Sequence, residues 1–228
     1  MTFIKISKQY QRKTDKKEFS IMYQNIATKV LTGEVRLSYV NLVTPRAQNP
    51  GDTPKYSVQL LIPKTDVATV QDIRNSIEAA AQKAVNEKWG GVRPNFADIL
   101  HDGDGVKPDA GTPYGPECKG HYVLNASSEQ KPGVVDQSNV NCDLAPQDIY
   151  SGMYARVTLN FYGYKNRKTG VGCGLGNVMK TRDGEPLGGG ASAASDFAGV
   201  GQAVAPAVGA TATQPVAPRI NPITGLPM

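Results

Sequence analysis

Apolar and polar positions alternate with a period of two in several separate stretches of the chain. In "LTGEVRLSYV", Leu31, Val35, Leu37 and Tyr39 share one face, while Thr32, Glu34, Arg36 and Ser38 share the other. In "KYSVQLLI", Tyr56, Val58, Leu60 and Ile62 face one way, and Lys55, Ser57 and Gln59 the other. This period marks half-buried antiparallel strands. The segment between them, "TPRAQNPGDTP", is rich in Pro, Gly and Asn and reads as a loop.

The period then changes. "KTDVATVQDIRNSIEAAAQKAVNEKWGG" places Val67, Val70, Ile73, Ile77, Ala80, Ala84 and Val85 on one stripe. That spacing predicts a helix capped by Thr65 or Asp66 and stopped at Gly90. Residues 90–120 read as loop, and "HYVLNAS" and "KPGVVD" as two short strands. Strands, one helix and more strands, without βαβ alternation, argue against a parallel doubly wound sheet. The expected fold is mainly β with one long helix: an OB-fold, a small antiparallel barrel with helix and loop insertions.

The last alternating region, "MYARVTLNFYGYKNRKTGVGCGLG", predicts a hairpin. On its first strand Ala155, Val157, Leu159 and Phe161 form an apolar face, opposite Tyr154, Arg156, Thr158, Asn160, Tyr162 and Tyr164. On the second, Val171, Cys173 and Leu175 oppose Gly170, Gly172, Gly174 and Gly176. Matching apolar face to apolar face puts the glycines on the tyrosine side. Glycines give a strand nothing to pack, so the expected product is a bare shelf flanked by aromatic rings.

Charge sharpens this picture. The chain of 228 residues carries a formal net charge of +5. Residues 1–30 hold seven Lys or Arg against two acidic residues, whereas 31–228 hold eighteen of each. The body is therefore neutral overall. Yet from Ile149 to Arg182 there is no carboxylate, while Arg156, Lys165, Arg167, Lys168, Lys180 and Arg182 are cationic. Single-stranded nucleic acid uses both features, phosphates on the cations and bases on the rings. The candidate set is Tyr154, Arg156, Tyr162, Tyr164, Lys165, Arg167, Lys168, Gly172, Gly174, Lys180 and Arg182. Arg36 and Lys55, on the polar faces of the first two strands, complete it.

Other chemistry changes little. Cys118 and His121 form one close pair that, with His101 and Cys142, just reaches four zinc ligands; two close pairs make the stronger signal. Reduced thiols and no cofactor are the expectation. "DGDG" at 102–105 begins like a calcium loop, but Lys107 stands where its glycine belongs and no glutamate closes it. A metal nuclease built on Asp102, Asp104 and Asp109 reads less well than solvated turns. "GVGCGLGN" brushes the dinucleotide fingerprint without the strand-to-helix turn that motif needs.

The ends differ from the body. Residues 1–21 read either as a basic arm or as an extension ahead of a true start at Met22. Residues 188–228, dominated by Gly, Ala, Pro and Thr, bury too little to offset their ordering entropy and are expected to form a flexible tail. The folded domain is then 22–187. No apolar run approaches the ~20 residues of a membrane-spanning helix.

Taken in order, "TGEVRLSYVNL", "PKYSVQLLIPKTD", "KWGG", "HYVLNASS", "PGVVD", "IYSGMYARVTLNFYGY", "GVGCGLGNVMKTRDGEPLGG" and "SDFAG" resemble phage-encoded single-stranded DNA-binding proteins. The resemblance runs from about residue 31 to 199. It implies an OB-fold core and non-catalytic coating of single-stranded DNA in phage replication and recombination, with little sequence preference. It also implies the cytoplasm of an infected bacterial host, with phage replication or recombination proteins and further copies of the chain as candidate partners. One departure stands out: no carboxylate follows Asp196, so recruitment through an acidic tip is not expected. The alternative is a phage structural or assembly protein whose Tyr/Gly face is a subunit interface.

Overall fold

The computed structural model describes residues 26–47 and 49–187. The arm expected at 1–21 and the tail expected at 188–228 lie outside the described residues. In chain order the elements are β1 (Lys29–Leu31), β2 (Val35–Arg46), β3 (Lys55–Pro63), α1 (Val67–Glu87) and β4 (Leu100–Asp102). Then come β5 (His121–Ser128), β6 (Val134–Asp136), β7 (Asn139–Asp143), β8 (Tyr154–Lys165) and β9 (Thr169–Arg182). The described part is thus mainly β with one helix.

Five strands pair in a ring. β2 pairs with β3, β3 with β5, β9 with β8, and β8 with β2, all antiparallel. β5 and β9 run parallel and meet at one register position, Ser127 with Gly174. The ring is therefore thin at that seam. β1 extends the edge of β8, β4 that of β5, and the β6–β7 hairpin that of β9.

The inward side is apolar. Val35, Leu37, Leu60, Ile62, Leu124, Val157, Leu159, Phe161 and Val178 are buried in one cluster with Ile73, Ile77, Ala80 and Ala84 of α1. The helix packs against β8, β1 and β9. Asp66 caps it, its carboxylate accepting from the Thr69 N–H at 3.2 Å. Past its end Gly90 and Gly91 take positive φ, +70° and +84°. Val67 departs from the stripe: it is the first helical residue and is 69% exposed.

The expected strand over 31–40 is two strands. β1 ends at Leu31, and Thr32 is buried although its position falls on the polar face. Its hydroxyl accepts from the Val157 N–H and its own N–H donates to the Val157 carbonyl, both at 3.0 Å. Tyr39 is a second correction. Between Ser38/Gln59 and Asn41/Ser57, β2 has one more residue than β3, which is a bulge. Tyr39 sits in it at φ +47° and is 64% exposed rather than in the core. β2 then continues into the first three residues of the expected loop and ends at Arg46. β4 forms within the segment read as loop, and β7 in "NVNCD", an alternating run whose five residues are all exposed.

Candidate nucleic-acid interface

The β8–β9 hairpin has the register that the alternation predicts. Tyr164 opposes Gly170, Tyr162 opposes Gly172 and Asn160 opposes Gly174. The shelf, however, is not bare. A Cβ on Gly172 would lie 2.9 Å from the Tyr162 ring, and one on Gly170 2.8 Å from the Tyr164 hydroxyl. On Gly174 it would meet the Asn160 carbonyl at 3.2 Å, with the Tyr162 ring next. The glycines seat the protein's own tyrosines, a cross-strand ring covering a glycine. Tyr162 lies on this bed with 42% of its surface exposed.

The core side of the hairpin tip is held by α1. Gly163 faces inward, where a Cβ would collide with Ala84 and press on Trp89. Trp89 Nε1 donates to the Tyr164 carbonyl and Lys88 Nζ to the Gly163 carbonyl, both at 3.0 Å. The end of β8 and the turn beyond it carry Lys165, Arg167 and Lys168, all exposed and without an ion pair among the described residues.

Further along β9 the phase changes. Val157 pairs with Val178 but Leu159 with Leu175, so β9 has one extra residue at Gly176–Asn177. The Thr158 hydroxyl fills the bulge, donating to the Asn177 carbonyl at 3.3 Å and accepting from its N–H at 2.7 Å. Gly176 fits because a Cβ there would collide with that hydroxyl.

One consequence corrects the candidate set. Lys180 pairs with Ala155, lies on the core side and is 7% exposed. Its ammonium is 2.7 Å from Asp183 and 3.1 Å from the Asp148 carbonyl, near the Tyr150 ring. It is not part of an open cationic strip.

The base of the hairpin is similarly occupied. The Arg182 guanidinium is 3.4 Å from the Tyr154 ring centroid, and Arg36 is 5.7 Å from it. Arg182 also pairs with Glu34 at 3.0 Å, and Arg36 donates to the Glu185 carbonyl at 2.7 Å. Burial pushes the Glu34 carboxyl up. Hydrogen bonds from Thr181 and Arg182 and the charges of Arg182 and Arg156 outweigh that and hold it below its ordinary value. Tyr154 is thus clamped between cations rather than presented as a free platform. Lys55 pairs with Glu129 at 3.2 Å, with both side chains largely exposed.

The weaker metal readings resolve into structure. Lys64 bridges Asp102 and Asp104, at 2.5 and 2.7 Å, and so closes the "DGDG" turn. Cys118 is buried and pushed up to about 11 by burial, while Cys142 is exposed on β7. Among the described residues no group of three or more His, Cys, Asp or Glu is placed to hold a metal ion. No described helix is long and apolar enough to cross a membrane.

Sequence reasoning missed a cleft. It has a volume of about 620 Å³ and lies on the outer side of β2, β3 and β5, under the loop that includes Lys107 and Tyr114. Two rows of uncharged polar side chains cross its floor: Asn41, Ser57 and Ser127, then Gln59 and Asn125. The traces in the sequence were the separate polar faces of β3 and β5. The rows exist only once three strands pair.

Comparison with known proteins agrees with this architecture. The family described as Enterobacter phage Enc34, ssDNA-binding protein, matches residues 28–206. Putative protein p50 of Acyrthosiphon pisum secondary endosymbiont phage 1 is 29% identical over 180 residues, 74% of this chain and 92% of that protein. Among solved structures, the single-stranded DNA-binding protein from bacteriophage Enc34 in complex with ssDNA superposes with a TM-score of 0.61 at 28% identity. That match covers 72% of this chain and 91% of the other. A further structure of the Enc34 protein gives 0.58 at 25% identity over 76% and 91%. Nothing in these matches supports the alternative of a structural or assembly protein.

Proposed function

This chain belongs to the family of the phage Enc34 single-stranded DNA-binding protein, and on that premise we propose that it coats single-stranded DNA during phage replication, without a catalytic step. The observation that carries the mode of binding is the hairpin tip. Tyr162 lies half-exposed on a glycine bed, and the adjoining turn presents Lys165, Arg167 and Lys168 to solvent. A single strand can stack a base on that ring while its phosphates follow the cations. Gly172 and Gly174 serve the interface by seating Tyr162. Tyr164, Arg156, Arg182, Arg36 and Lys55 flank the path.

We read the ring of β2, β3, β5, β9 and β8 as an OB-fold. Five strands that close through one thin seam suit that partly open barrel, whose ligands cross the face of its second and third strands. Recombination exposes the same substrate and falls under the same proposal, as do residence in the host cytoplasm and contacts with replication proteins or further copies.

The test is a fluorescence-polarisation titration of labelled oligo-dT against a duplex of equal length at two salt concentrations. The expected result is preference for the single strand, with affinity falling as salt rises. Equal binding of both forms would sink the proposal.

A further inference from the structure

Past β9 the chain turns back over the sheet. Residues 183–187 have no regular secondary structure and cross the base of the β8–β9 hairpin as a strap. The Tyr150 hydroxyl lies 2.8 Å from the Asp183 carboxylate and accepts from the Gly184 N–H at 3.1 Å. Lys180 pairs with the same carboxylate. Arg36 donates to the Glu185 carbonyl, and the Leu187 N–H donates to the Ser151 carbonyl, both at 2.7 Å. The half-buried Leu187 side chain packs against the small cluster of Leu61, Cys118 and Val123. That residue is the apolar anchor of the strap. The rest of the hold is hydrogen bonds and an ion pair, and segments of that kind open at low free energy.

The strap rests against Tyr154. A Cβ on Gly184 would stand 2.8 Å from that ring, so only a bare backbone passes there. Arg182 is stacked on the ring at 3.4 Å, and Arg36 stands 5.7 Å from its centroid. A ring with two guanidinium groups beside it is what a single strand uses, base on ring and phosphates on cations. Here the protein occupies the arrangement itself. The Gly184 backbone covers the ring, the Glu185 carbonyl takes Arg36, and Glu34 takes Arg182. Tyr154 and Tyr162 lie on the same side of β8, eight residues apart. That is ~26 Å at ~3.3 Å per residue, a span that a stacked strand covers in about eight nucleotides at ~3.4 Å each.

We propose that residues 183–187 are a displaceable strap over a second stacking site, built of Tyr154, Arg36 and Arg182, which the bound strand opens as it extends from Tyr162. The proposal rests on the single-stranded DNA reading above and goes beyond it. It gives the protein a closed state with one ring available and an open state with two.

The test reads the strap and the DNA separately. The Gly184 and Leu187 amides are both bonded in the closed strap. Hydrogen exchange of that segment should therefore quicken when the full chain binds oligo-dT of about 16 nucleotides, the upper end for one OB-fold. Tyr150→Phe keeps the ring beside Lys180 but removes the hydroxyl that holds Gly184. It should quicken exchange without DNA and tighten oligo-dT binding by about 2- to 10-fold, the worth of one hydrogen bond no longer broken on binding. Leu187→Ala, which frees the other end, should do the same. In a Tyr154→Ala background the gain should disappear, because the opened strap then uncovers no ring. Three results overturn the strap: exchange at 183–187 that DNA leaves unchanged, opened variants that bind no tighter, or a gain that persists without the Tyr154 ring. If oligo-dT binds no better than a duplex of equal length, the underlying reading fails instead, and the strap with it.

Discussion

Tyr154 and Tyr162 stand on one strand, yet their surroundings give them different roles. Tyr162 leans on Gly172 and keeps an open side, so its ring is available to a base. Tyr154 is held between Arg182 and Arg36. Tyr162→Ala should therefore weaken oligo-dT binding by about 5- to 150-fold, corresponding to ~1–3 kcal/mol for one stacked base. Its urea midpoint should stay at the wild-type value. Tyr154→Ala should behave oppositely, lowering stability by about 1 kcal/mol as two guanidinium–ring contacts vanish, with a smaller effect on DNA. Polarisation and urea denaturation on both variants separate the two roles. Gly172→Val belongs with Tyr162: its side chain must push the ring off its bed, so binding should fall while Phe161 and Cys173 stay packed. Tight binding by that variant would show that the ring's seat is irrelevant.

Between elements, the decisive contact is that of α1 with the hairpin. Gly163 is where the helix end meets β8, and Lys88 and Trp89 tie the same two residues by hydrogen bonds. Gly163→Ala should cost ~1–3 kcal/mol of stability as an overpacked core position, read as a lower urea midpoint, and should loosen the hairpin tip. A midpoint equal to wild type would mean that helix and strand can part without cost. The helix, its cap and the hairpin register were legible because period and capping chemistry are local. The bulges at Tyr39 and at Gly176–Asn177 were not, because one inserted residue reverses the side chains that follow it, up to the next register shift, while leaving the period intact. A trace did exist: the buried positions run Val171, Cys173, Leu175 and then Val178, an odd step. Without that step Lys180 reads as a surface cation; with it, Lys180 belongs to the core side. Leu37 and Leu42 show the same odd step around Tyr39. The cleft floor was illegible for another reason: its rows are assembled from β2, β3 and β5, and no single segment carries the pattern.

At the scale of the whole molecule, placement of charge matters more than its total. Lys180 and Arg182 are already answered by Asp183 and Glu34, whereas Lys165, Arg167 and Lys168 face solvent. Each phosphate contact on a single strand contributes about 0.7 to the slope of log affinity against log salt. Replacing Lys165, Arg167 and Lys168 together by Ala should thus flatten that slope by about 2. Arg182→Gln should change it by less than a single contact, because the wild-type guanidinium is held by Glu34. Glu34→Gln should act in reverse, releasing Arg182 to the strand, steepening the slope by up to about 0.7 and raising affinity. Acid tests the same pair. The folded Glu34 carboxyl lies below its ordinary value, so its stabilising contribution is complete above the usual carboxylate range. That contribution is lost as pH falls through the lowered value. Wild-type protein should therefore lose more stability than Glu34→Gln between neutral pH and that point. If instead Arg182→Gln flattens the salt dependence and the triple variant leaves it unchanged, the strand runs along the base of the hairpin and not over its tip.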